Sequence, residues 1–384
     1  MAKAWNILDS GLIIASTGHH YWETKALANE LVARGNDVRI FSCRTRFPAK
    51  LSERFPGALI YPTFSLNYYT KSNDAIHNQF FYNDLLKIEQ SLFAGSVTYF
   101  TTISQRQLLG MIRWLMQFEN SARPKAVVVL QAPDSNASAK AFERLWVNCP
   151  PQLKNDLVLT VRSSPAADQF RQLLGVRPYV LPSPLGVPEW RTKTIAKIGT
   201  PPVEPMVVSF IGGARSERGV KHIPDVVKLC TPLGIRFFIQ VKEEGEPDLV
   251  RSLSKLSEHT NVNVQLGMLE RDAYYDAIAR SVILIPCDPI HYRRKMSGVY
   301  LEAKCLGAPV IVPAGCWMAN EVTSLGNGLV FEEYTATAIA ACIARAQREI
   351  GKLRERAAAH AREFSAINGP DRCVDAIESY LQAN

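Results

Sequence analysis

Residues 286–313, PCDPIHYRRKMSGVYLEAKCLGAPVIVP, combine a basic loop, small residues and a carboxylate within one short stretch. The apolar segment SVILI before them predicts a buried parallel strand, and SGVYLEAKCLG predicts a short helix that ends at Gly307. Such a strand–loop–helix unit places the helix N-terminus at the carboxyl edge of a parallel sheet, where open α/β folds bind ligands. The amides of Ser297, Gly298 and Val299 would be available there to bind a phosphate.

Glu302 lies about one turn into this helix, where its carboxylate can accept hydrogen bonds from sugar hydroxyls. The basic residues RRK at 293–295 suit a diphosphate or an acidic sugar. Together with Glu302, Tyr292 and Arg294 are therefore the candidates for contacts to a ribose or a sugar. The alternative interpretation is an ordinary βαβ crossover with a surface glutamate.

A second candidate loop, GGARSERG at residues 212–219, follows the apolar run VVSFI and precedes a helical pattern. Glycines such as Gly213 let the backbone approach a ligand closely, and Arg215 and Arg218 can clamp a diphosphate with bidentate hydrogen bonds. The spacing matches neither the dinucleotide fingerprint GxGxxG nor the phosphate-binding GK[ST] motif. The loop therefore indicates phosphate binding only in combination with the Glu302 stretch.

The Glu302 stretch resembles the donor-binding signature of GT-B glycosyltransferases of the family 4 type, in which Glu-x7-Glu is followed by Ala-x-x-x-Gly-x-Pro-Val. The second half of that pattern is matched by Glu302, Ala303, Gly307, Pro309 and Val310. Arg294 stands where the family has its first glutamate, which is associated with the donor sugar. The resemblance implies an α/β protein of GT-B architecture, with two Rossmann-like doubly wound domains facing a central cleft. It also implies transfer of a sugar from a nucleotide-diphosphate sugar to an acceptor hydroxyl, with retention at the anomeric carbon.

Further donor-site residues follow from the same resemblance. Arg215 and Arg218 correspond to the family's two donor-phosphate cations, and Arg218 stands in place of a lysine. Gly267, Met268 and Leu269 match the point at which family members cradle the nucleotide base with backbone groups.

The start of the chain predicts a strand near residues 5–14, a loop that contains Gly18, His19 and His20, and a helix over residues 24–35. A loop of this kind at a helix N-terminus can hold a phosphate or an acceptor, and His20 can act as an acid or a base. Gly18 and His19 are the acceptor-side candidates. Alternatively, the histidines cap the helix and pack against the aromatic pair that follows them.

Asp134 follows the strand pattern AVVVLQAP and is, like His20, a candidate for a catalytic role near the acceptor hydroxyl. Aromatic residues, among them Tyr68 and Tyr69, are frequent over residues 61–82. Aromatic platforms are common in carbohydrate sites, although aromatics at such spacing also occur in ordinary cores. The resemblance implies that this half of the chain binds the acceptor.

The proline-rich residues 182–205 predict an extended linker. We expect an acceptor-binding Rossmann-like domain at residues 1–190, a linker at 191–205 and a nucleotide-sugar-binding Rossmann-like domain at 206–365. From the resemblance, a final helix at 366–384 crosses back to the first domain.

The chain has 384 residues, of which 47% are hydrophobic, which is enough for two cores. No run of eighteen apolar residues predicts a membrane span, and eight cysteines without CxxC spacing predict buried thiols in a reducing, cytoplasmic setting. The formal charge of +8 suits anionic partners, including an anionic surface at the inner membrane face. Nucleic acid binding is not expected, because no basic stripe with interleaved aromatics occurs.

The sequence contains no Asp-x-Asp triplet and no cluster with metal-ligand spacing, which predicts a metal-independent site without a cofactor. The expected partners are a nucleotide-sugar donor and a glycan or lipid-linked acceptor. Two alternatives stay open: a nucleotide-sugar epimerase of similar architecture, and a degenerate protein that binds a nucleotide sugar without turnover. Arg294 in place of a glutamate argues against the first alternative. It is the only support for the second, against which the two phosphate-binding arginines argue.

Overall fold

The computed structural model of the chain describes residues 3–13, 19–44, 52–70, 72–89, 92, 95–119, 122–133, 135–185, 205–242, 245–293 and 297–383. Three predicted site residues, Gly18, Asp134 and Arg294, lie outside these ranges, as does most of the predicted linker. The chain divides into two compact units, one formed by Met1–Gly186 with Ile367–Asn384 and the other by Val187–Ala366.

The first unit alternates strands and helices. Its strands are β1 (Ala4–Asp9), β2 (Asp37–Cys43), β3 (Ala58–Phe64), β4 (Val97–Ile103), β5 (Lys125–Leu130), β6 (Leu157–Val161) and β7 (Tyr179–Val180). The helices between them are α1 (His19–Ala33), α2 (Asp74–Ile88), α3 (Gln105–Leu115), α4 (Asn136–Val147), α5 (Pro151–Asp156) and α6 (Ser164–Leu174).

These strands form one parallel sheet in the order β3-β2-β1-β4-β5-β6-β7. Both faces are covered, since neighbouring residues of β1 enter different apolar clusters: Ile7 packs in a cluster with Leu27 of α1, and Leu8 in a cluster with Trp114 of α3. Burial on both faces is why the strands are almost continuously apolar. The strand order reverses between β1 and β4, and such a switch point is where doubly wound sheets bind ligands.

Two boundaries at the start of the chain differ from the prediction. Strand β1 ends at Asp9 rather than near residue 14, and α1 begins at His19 rather than at residue 24. The strand stops because Asp9 closes a turn, in which its carboxylate accepts from the amide of Gly11 at 2.9 Å and its carbonyl from the amide of Leu12 at 3.2 Å. His20 therefore lies in the first turn of a helix and not in a loop.

The second unit repeats the alternation. Its strands are β8 (Val207–Gly213), β9 (Arg236–Lys242), β10 (Val262–Leu266), β11 (Val282–Leu284), β12 (Val310–Pro313) and β13 (Gly328–Phe331). Its helices are α7 (Ile223–Cys230), α8 (Pro247–Ser254), α9 (Arg271–Arg280), α10 (Gly298–Leu306), α11 (Trp317–Leu325) and α12 (Ala336–Ile367).

The second sheet is also parallel, with the strand order β10-β9-β8-β11-β12-β13. Phe210 and Ile211, neighbours in β8, enter different apolar clusters, so this sheet too is covered on both faces. Its order reverses between β8 and β11, where Val208 pairs with Val282. The two loops selected from the sequence follow these two strands, so both lie at the switch point.

The final helix, α13 (Pro370–Ala383), belongs to the first unit and packs against α1. Cys373 and Ile377 are buried in the apolar cluster that contains Ile7. Arg34 of α1 holds the outer side of α13, with Nη1 at 2.6 Å from a carboxylate oxygen of Asp375. The helix is thereby fixed by both apolar burial and ion pairing.

All eight cysteines are buried and none forms a disulfide. Within the described residues, no helix combines the length and the apolar character needed to cross a membrane.

Candidate functional site

The loops after β8 and β11 are held against each other at the switch point of the second sheet. Gly219, in the first loop, has a φ of 72°, and a Cβ atom there would lie 1.6 Å from the carbonyl oxygen of Pro286. The same oxygen accepts a hydrogen bond from the Tyr334 hydroxyl at 3.0 Å. The amide of Asp288 donates to the carbonyl oxygen of Glu217 at 2.9 Å. A close backbone approach therefore requires the glycine and fixes the geometry of both loops.

Arg218 is the cation at this junction. Its Nη1 donates to the carbonyl oxygen of Ile211 at 3.3 Å and fills the space beside Gly212, where a Cβ would lie 1.7 Å from Nη1. Within the described residues, its Nε is buried without a hydrogen-bond partner and its guanidinium forms no ion pair with a carboxylate. Within the described residues, the positive charge of Arg218 at this junction therefore has no carboxylate partner.

Arg215 lies in different surroundings. Its side chain is 48% exposed, and its Nε lies 3.2 Å from a carboxylate oxygen of Glu217. The neighbouring Ser216 donates to Glu246 from its hydroxyl at 2.6 Å and from its amide at 2.7 Å, and these bonds, with the charge of Arg215, lower the pKa of Glu246. Of the two predicted phosphate cations, Arg215 is therefore at the rim and already has an acidic partner.

A small cavity of about 20 Å³ opens beside Arg218, with room for about one water molecule. Four residues predicted from the sequence to bind the donor line it: Arg218, Tyr292, Ser297 and Val299. Its remaining walls come from the ends of β8 and β11 and the residues after β11. The structure therefore brings together parts of both predicted loops around one point at the carboxyl edge of the sheet.

Helix α10 begins at this cavity. The hydroxyl of Ser297 caps the helix by accepting from the amide of Tyr300 at 3.3 Å. Gly298 is the first helical residue, and a Cβ built on it would meet no atom within 4 Å. Because a helix N-terminus carries free N–H groups and a partial positive charge, the start of α10 adds to the attraction of Arg218 for an anion.

Glu302, in the same helix, is half-buried and is held by a residue that the sequence analysis missed. The hydroxyl of Tyr274, on α9, donates to Glu302 Oε2 at 2.5 Å. Burial raises the pKa of Tyr274, and the Glu302 carboxylate raises it further, whereas the charge of Arg218 lowers it. No spacing in the sequence connects these residues, because α9 and α10 meet only through tertiary packing.

The turn predicted to cradle a base follows β10. Gly267 has a φ of 85°, its amide donates to the carbonyl oxygen of Val241 at 2.9 Å, and its carbonyl accepts from Gln240 Nε2 at 2.5 Å. Met268, the next residue, is 47% exposed. The amide and the carbonyl of Gly267 are thus both hydrogen-bonded at the end of the sheet. Base binding by Gly267, Met268 and Leu269 stays a prediction.

In the first unit, the functional candidate His20 is paired with Asp9, which the sequence analysis did not select. His20 Nδ1 lies 2.8 Å from Asp9 Oδ1, and the other carboxylate oxygen accepts from the Thr24 hydroxyl at 2.8 Å. Both members of the pair are buried. Asp9 could have been identified from the sequence by its position at the end of an otherwise apolar strand, where parallel sheets present functional side chains.

For both Asp9 and His20, burial and pairing shift the pKa in opposite directions. Burial would raise the pKa of Asp9, but the neighbouring His20 and the hydrogen bonds from His20, Thr24 and Gly11 lower it overall. For His20, burial lowers the pKa, and the contact with Asp9 raises it overall. Both shifts favour the charged forms of the pair, an aspartate and an imidazolium.

The His20 ring lies among aromatic side chains. Its centroid is 5.9 Å from that of Tyr68 and 5.8 Å from that of Tyr69. A Cβ on Gly11 would lie 2.4 Å from the imidazole, so the turn after β1 packs directly on the ring. The position of His20 is thus set by the turn on one side and by the residues after β3 on the other.

A buried arginine anchors the helix that carries His20. Arg162, directly after β6, donates at 2.9 Å both to the carboxylate of Glu23 and to the hydroxyl of Tyr99. Burial alone would lower the pKa of Arg162, but its anionic and polar neighbours raise it overall. This contact fixes α1 to the carboxyl edge of the sheet at Glu23, which is three residues from His20.

Metal binding has no candidate in the described parts of the chain, where no group of three or more His, Cys, Asp or Glu side chains is arranged to hold an ion.

No protein-family model and no curated protein sequence matches this chain. Its structure is similar to those of several solved proteins at low sequence identity. Sucrose-phosphate synthase from Thermosynechococcus elongatus has a TM-score of 0.71 at 16% identity, over 99% of each chain. The HepE protein of Anabaena, in complex with UDP, has a TM-score of 0.68 at 14% identity over 100% of both chains. A glycosyltransferase from Rickettsia africae has a TM-score of 0.68 at 12% identity, covering 99% of this chain and 98% of its own.

These neighbours are GT-B proteins, and the two parallel sheets of this chain correspond to theirs over its full length. The chain therefore has the GT-B fold, and the predicted fold class is confirmed. Fold alone does not determine activity, which depends on the chemistry of the site.

Proposed function

We propose that this protein transfers a sugar from a nucleoside-diphosphate sugar to an acceptor hydroxyl. The observation that carries the proposal is Arg218, a cation without an ion pair in the described residues, at the N-terminus of α10 and at the strand-order switch of the second sheet. Departure of a nucleoside diphosphate leaves negative charge on the terminal phosphate. A fixed guanidinium and helix amides stabilise that charge in a water-poor site.

The remaining donor-site residues have matching proposed roles. Glu302 accepts hydrogen bonds from ribose or sugar hydroxyls, and Tyr292 and Arg294 lie in the segment that precedes its helix. Arg215, already paired with Glu217, is proposed to contact the outer phosphate. The residues after β10 are proposed to contact the base.

In the proposed reaction, the bond between the anomeric carbon and the diphosphate oxygen breaks, and its electron pair stays on the diphosphate. A new bond forms between the anomeric carbon and the acceptor oxygen, and the proton of the acceptor hydroxyl passes to an oxygen of the departing diphosphate. His20, oriented by Asp9, is the proposed polar group for the acceptor hydroxyl. Retention at the anomeric carbon is proposed from the sequence resemblance, and no protein nucleophile is invoked.

Uridine nucleotides are the first donors to test. Solved HepE structures contain UDP, UDP with glucose, or UDP-glucose. The proposed acceptor is a glycan or a lipid-linked glycan. We propose a cytoplasmic protein that needs no cofactor, and the charge of +8 supports peripheral contact with an anionic membrane face.

The proposal is tested by thermal denaturation with UDP, GDP, ADP, CMP and dTDP, followed by transfer assays with the corresponding donor. A nucleotide at one hundred times its dissociation constant should stabilise the native state by about 2.7 kcal/mol. We expect one nucleotide to do so in the wild type and none in Arg218→Ala. Arg251→Ala is the matched control, because Arg251 is exposed and pairs with Asp248 on α8. If none of the five nucleotides stabilises the wild type, the proposal is overturned.

A further inference from the structure

The connection between β9 and α8 is bonded to the loop that carries Arg215 and Arg218, and Glu246 makes the bonds. We propose that Glu246 is a positioning residue for the outer phosphate of the nucleoside diphosphate, because it fixes the backbone on both sides of Arg215. This inference rests on the proposed glycosyl transfer. It adds a residue that lies outside both loops selected from the sequence.

Both neighbours of Arg215 in the chain are bonded to Glu246. Its Oε1 accepts from the amide of Ser216 at 2.7 Å, and its Oε2 accepts from the hydroxyl of Ser216 at 2.6 Å. The amide of Glu246 donates to the carbonyl oxygen of Ala214 at 2.7 Å. Between these contacts, Arg215 has an extended backbone with a φ of −132° and a ψ of 144°. Because peptide units are planar, fixing both neighbours leaves the Arg215 side chain few directions in which to leave the backbone.

Glu246 is itself held in place. Pro247 follows it as the first residue of α8, and the carbonyl oxygen of Glu246 accepts from the amide of Val250 at 3.0 Å. A Cβ on Gly245 would lie 2.7 Å from the carbonyl oxygen of Ala214, which is buried. The two segments are therefore in direct backbone contact, and Glu246 connects the loop of Arg215 to the start of a helix.

The same contact sets the place of Arg215 relative to Arg218. The amide of Arg218 donates to the carbonyl oxygen of Arg215 at 2.9 Å, and the amide of Gly219 donates to that of Ser216 at 3.0 Å. Residues 215–219 thus form one hydrogen-bonded turn, which Gly219 holds at the Pro286 backbone and Glu246 holds at Ser216. Two fixed points determine how far apart the two cations are.

The guanidinium of Arg215 is able to bind a phosphate in this position. Its ion pair with Glu217 is made by Nε, and no hydrogen bond within the described ranges engages its two terminal amino groups. Those groups can donate in parallel to two phosphate oxygens. An arginine on a fixed backbone also loses less conformational freedom on binding than one on a mobile loop.

Charge and positioning predict opposite effects of removing the Glu246 carboxylate. The carboxylate is a negative charge close to Arg215, so by Coulomb's law alone Glu246→Gln would strengthen the binding of an anion. If Glu246 acts by positioning, Glu246→Gln weakens binding, because an amide cannot accept hydrogen bonds from Ser216 at both of its terminal atoms. The direction of the change therefore distinguishes the two effects.

The test is calorimetry of the full chain with UDP and UMP, or with the diphosphate and monophosphate of whichever other base stabilises the wild type. We expect Glu246→Gln to bind the diphosphate on the order of tenfold more weakly. It should bind the monophosphate as the wild type does, because the monophosphate lacks the outer phosphate. Asp248→Asn is the matched control, since it makes the same charge change in the first turn of α8, where Asp248 pairs with Arg251 and both side chains are exposed.

A double-mutant cycle tests whether Glu246 acts through Arg215. In Arg215→Ala, the further change Glu246→Gln should leave diphosphate binding unaltered, because no guanidinium is left to position. Additive losses, equal losses for the two nucleotides, or tighter diphosphate binding by Glu246→Gln would each overturn the inference. Binding of the monophosphate shows that each variant is folded.

The same measurements separate this inference from the proposed function. If the wild type binds the diphosphate and Glu246→Gln binds it equally well, Glu246 is not a positioning residue and the donor site stands. If no nucleotide stabilises the wild type, the proposed function is wrong and the inference fails with it.

Discussion

Asp9 and His20 form a buried ion pair with 2.8 Å between Oδ1 and Nδ1, and it joins the end of the first strand to the first turn of the first helix. Removing one partner leaves the other charge buried and uncompensated. We expect Asp9→Asn to lower the free energy of unfolding by about 3–5 kcal/mol. Urea denaturation at neutral pH measures this loss. Asp288→Asn is the control, because its partner His291 is 65% exposed and an exposed pair contributes about 0–1 kcal/mol.

The same pair predicts how stability depends on pH. The pKa of His20 is raised above its ordinary value of 6.5, so its contribution is complete below pH 6.5 and is lost as the pH rises through the higher folded value. The pKa of Asp9 is lowered from 3.8, so its contribution is present above pH 3.8 and is lost as the pH falls through the lower folded value. The stability difference between the wild type and His20→Gln should therefore shrink towards alkaline pH. A difference that grows from pH 6 to pH 9 would contradict the ion pair.

The two loop arginines should differ in their effect on turnover. Arg218→Ala should lower kcat/KM on the order of 10²–10³, as loss of a transition-state hydrogen-bond donor does. Arg215→Ala should cost less, because Arg215 is half-exposed and already paired with Glu217. Arg218→Lys should recover only part of the activity, since an ammonium cannot reproduce the planar guanidinium. Steady-state kinetics with the donor identified by thermal denaturation give the order, and equal losses at both arginines would refute the distinction.

Tyr274 should act on the donor through Glu302. Tyr274→Phe removes the hydroxyl that fixes Glu302 Oε2, a charge-assisted bond worth about 1.5–3 kcal/mol. We expect calorimetry to show that the substitution weakens binding of the nucleoside diphosphate. It should leave binding of the 2′,3′-dideoxy analogue unchanged, because that analogue lacks the ribose hydroxyls. Equal losses for both nucleotides would mean that Tyr274 only supports the fold. Tyr275→Phe, on the same helix, is the control.

Gly219 should tolerate no side chain. At φ 72° and with a Cβ 1.6 Å from the Pro286 carbonyl oxygen, Gly219→Ala must separate the two loops of the donor site. We expect a loss of stability of about 2–4 kcal/mol and loss of nucleotide binding. Gly234→Ala is the matched control, since its φ is 68° but its Cβ would meet no atom within 4 Å. It should cost about 1 kcal/mol for the left-handed backbone alone and leave nucleotide binding unchanged. Normal nucleotide binding by Gly219→Ala would show that the donor site does not depend on the close approach of the two loops.

Much of the fold could be predicted from the sequence because its signals are local. Continuous apolar runs such as VVSFI and SVILI are typical of strands buried on both faces of a parallel sheet, and Gly307 ends α10 at a φ of 64°. Glycines and basic residues after two of these runs located Arg218 and Ser297, which line one cavity. Local signals did not locate the boundary at Asp9, because a side-chain hydrogen bond to the amide of Gly11 ends that strand.

Tertiary structure alone decided which of these residues have partners. Arg215 and Arg218 look alike in the sequence, yet packing places an acidic neighbour beside the first and leaves the second without an ion pair in the described residues. His20 contacts Asp9 and Tyr69, which belong to different parts of the chain, and Glu302 accepts a hydrogen bond from Tyr274 of another helix. The sequence by itself therefore determined the strands, the helices and the loops that could bind a ligand, since these depend on neighbouring residues. The charge, orientation and accessibility of the site depend on residues far apart in the chain, and only packing brings them together.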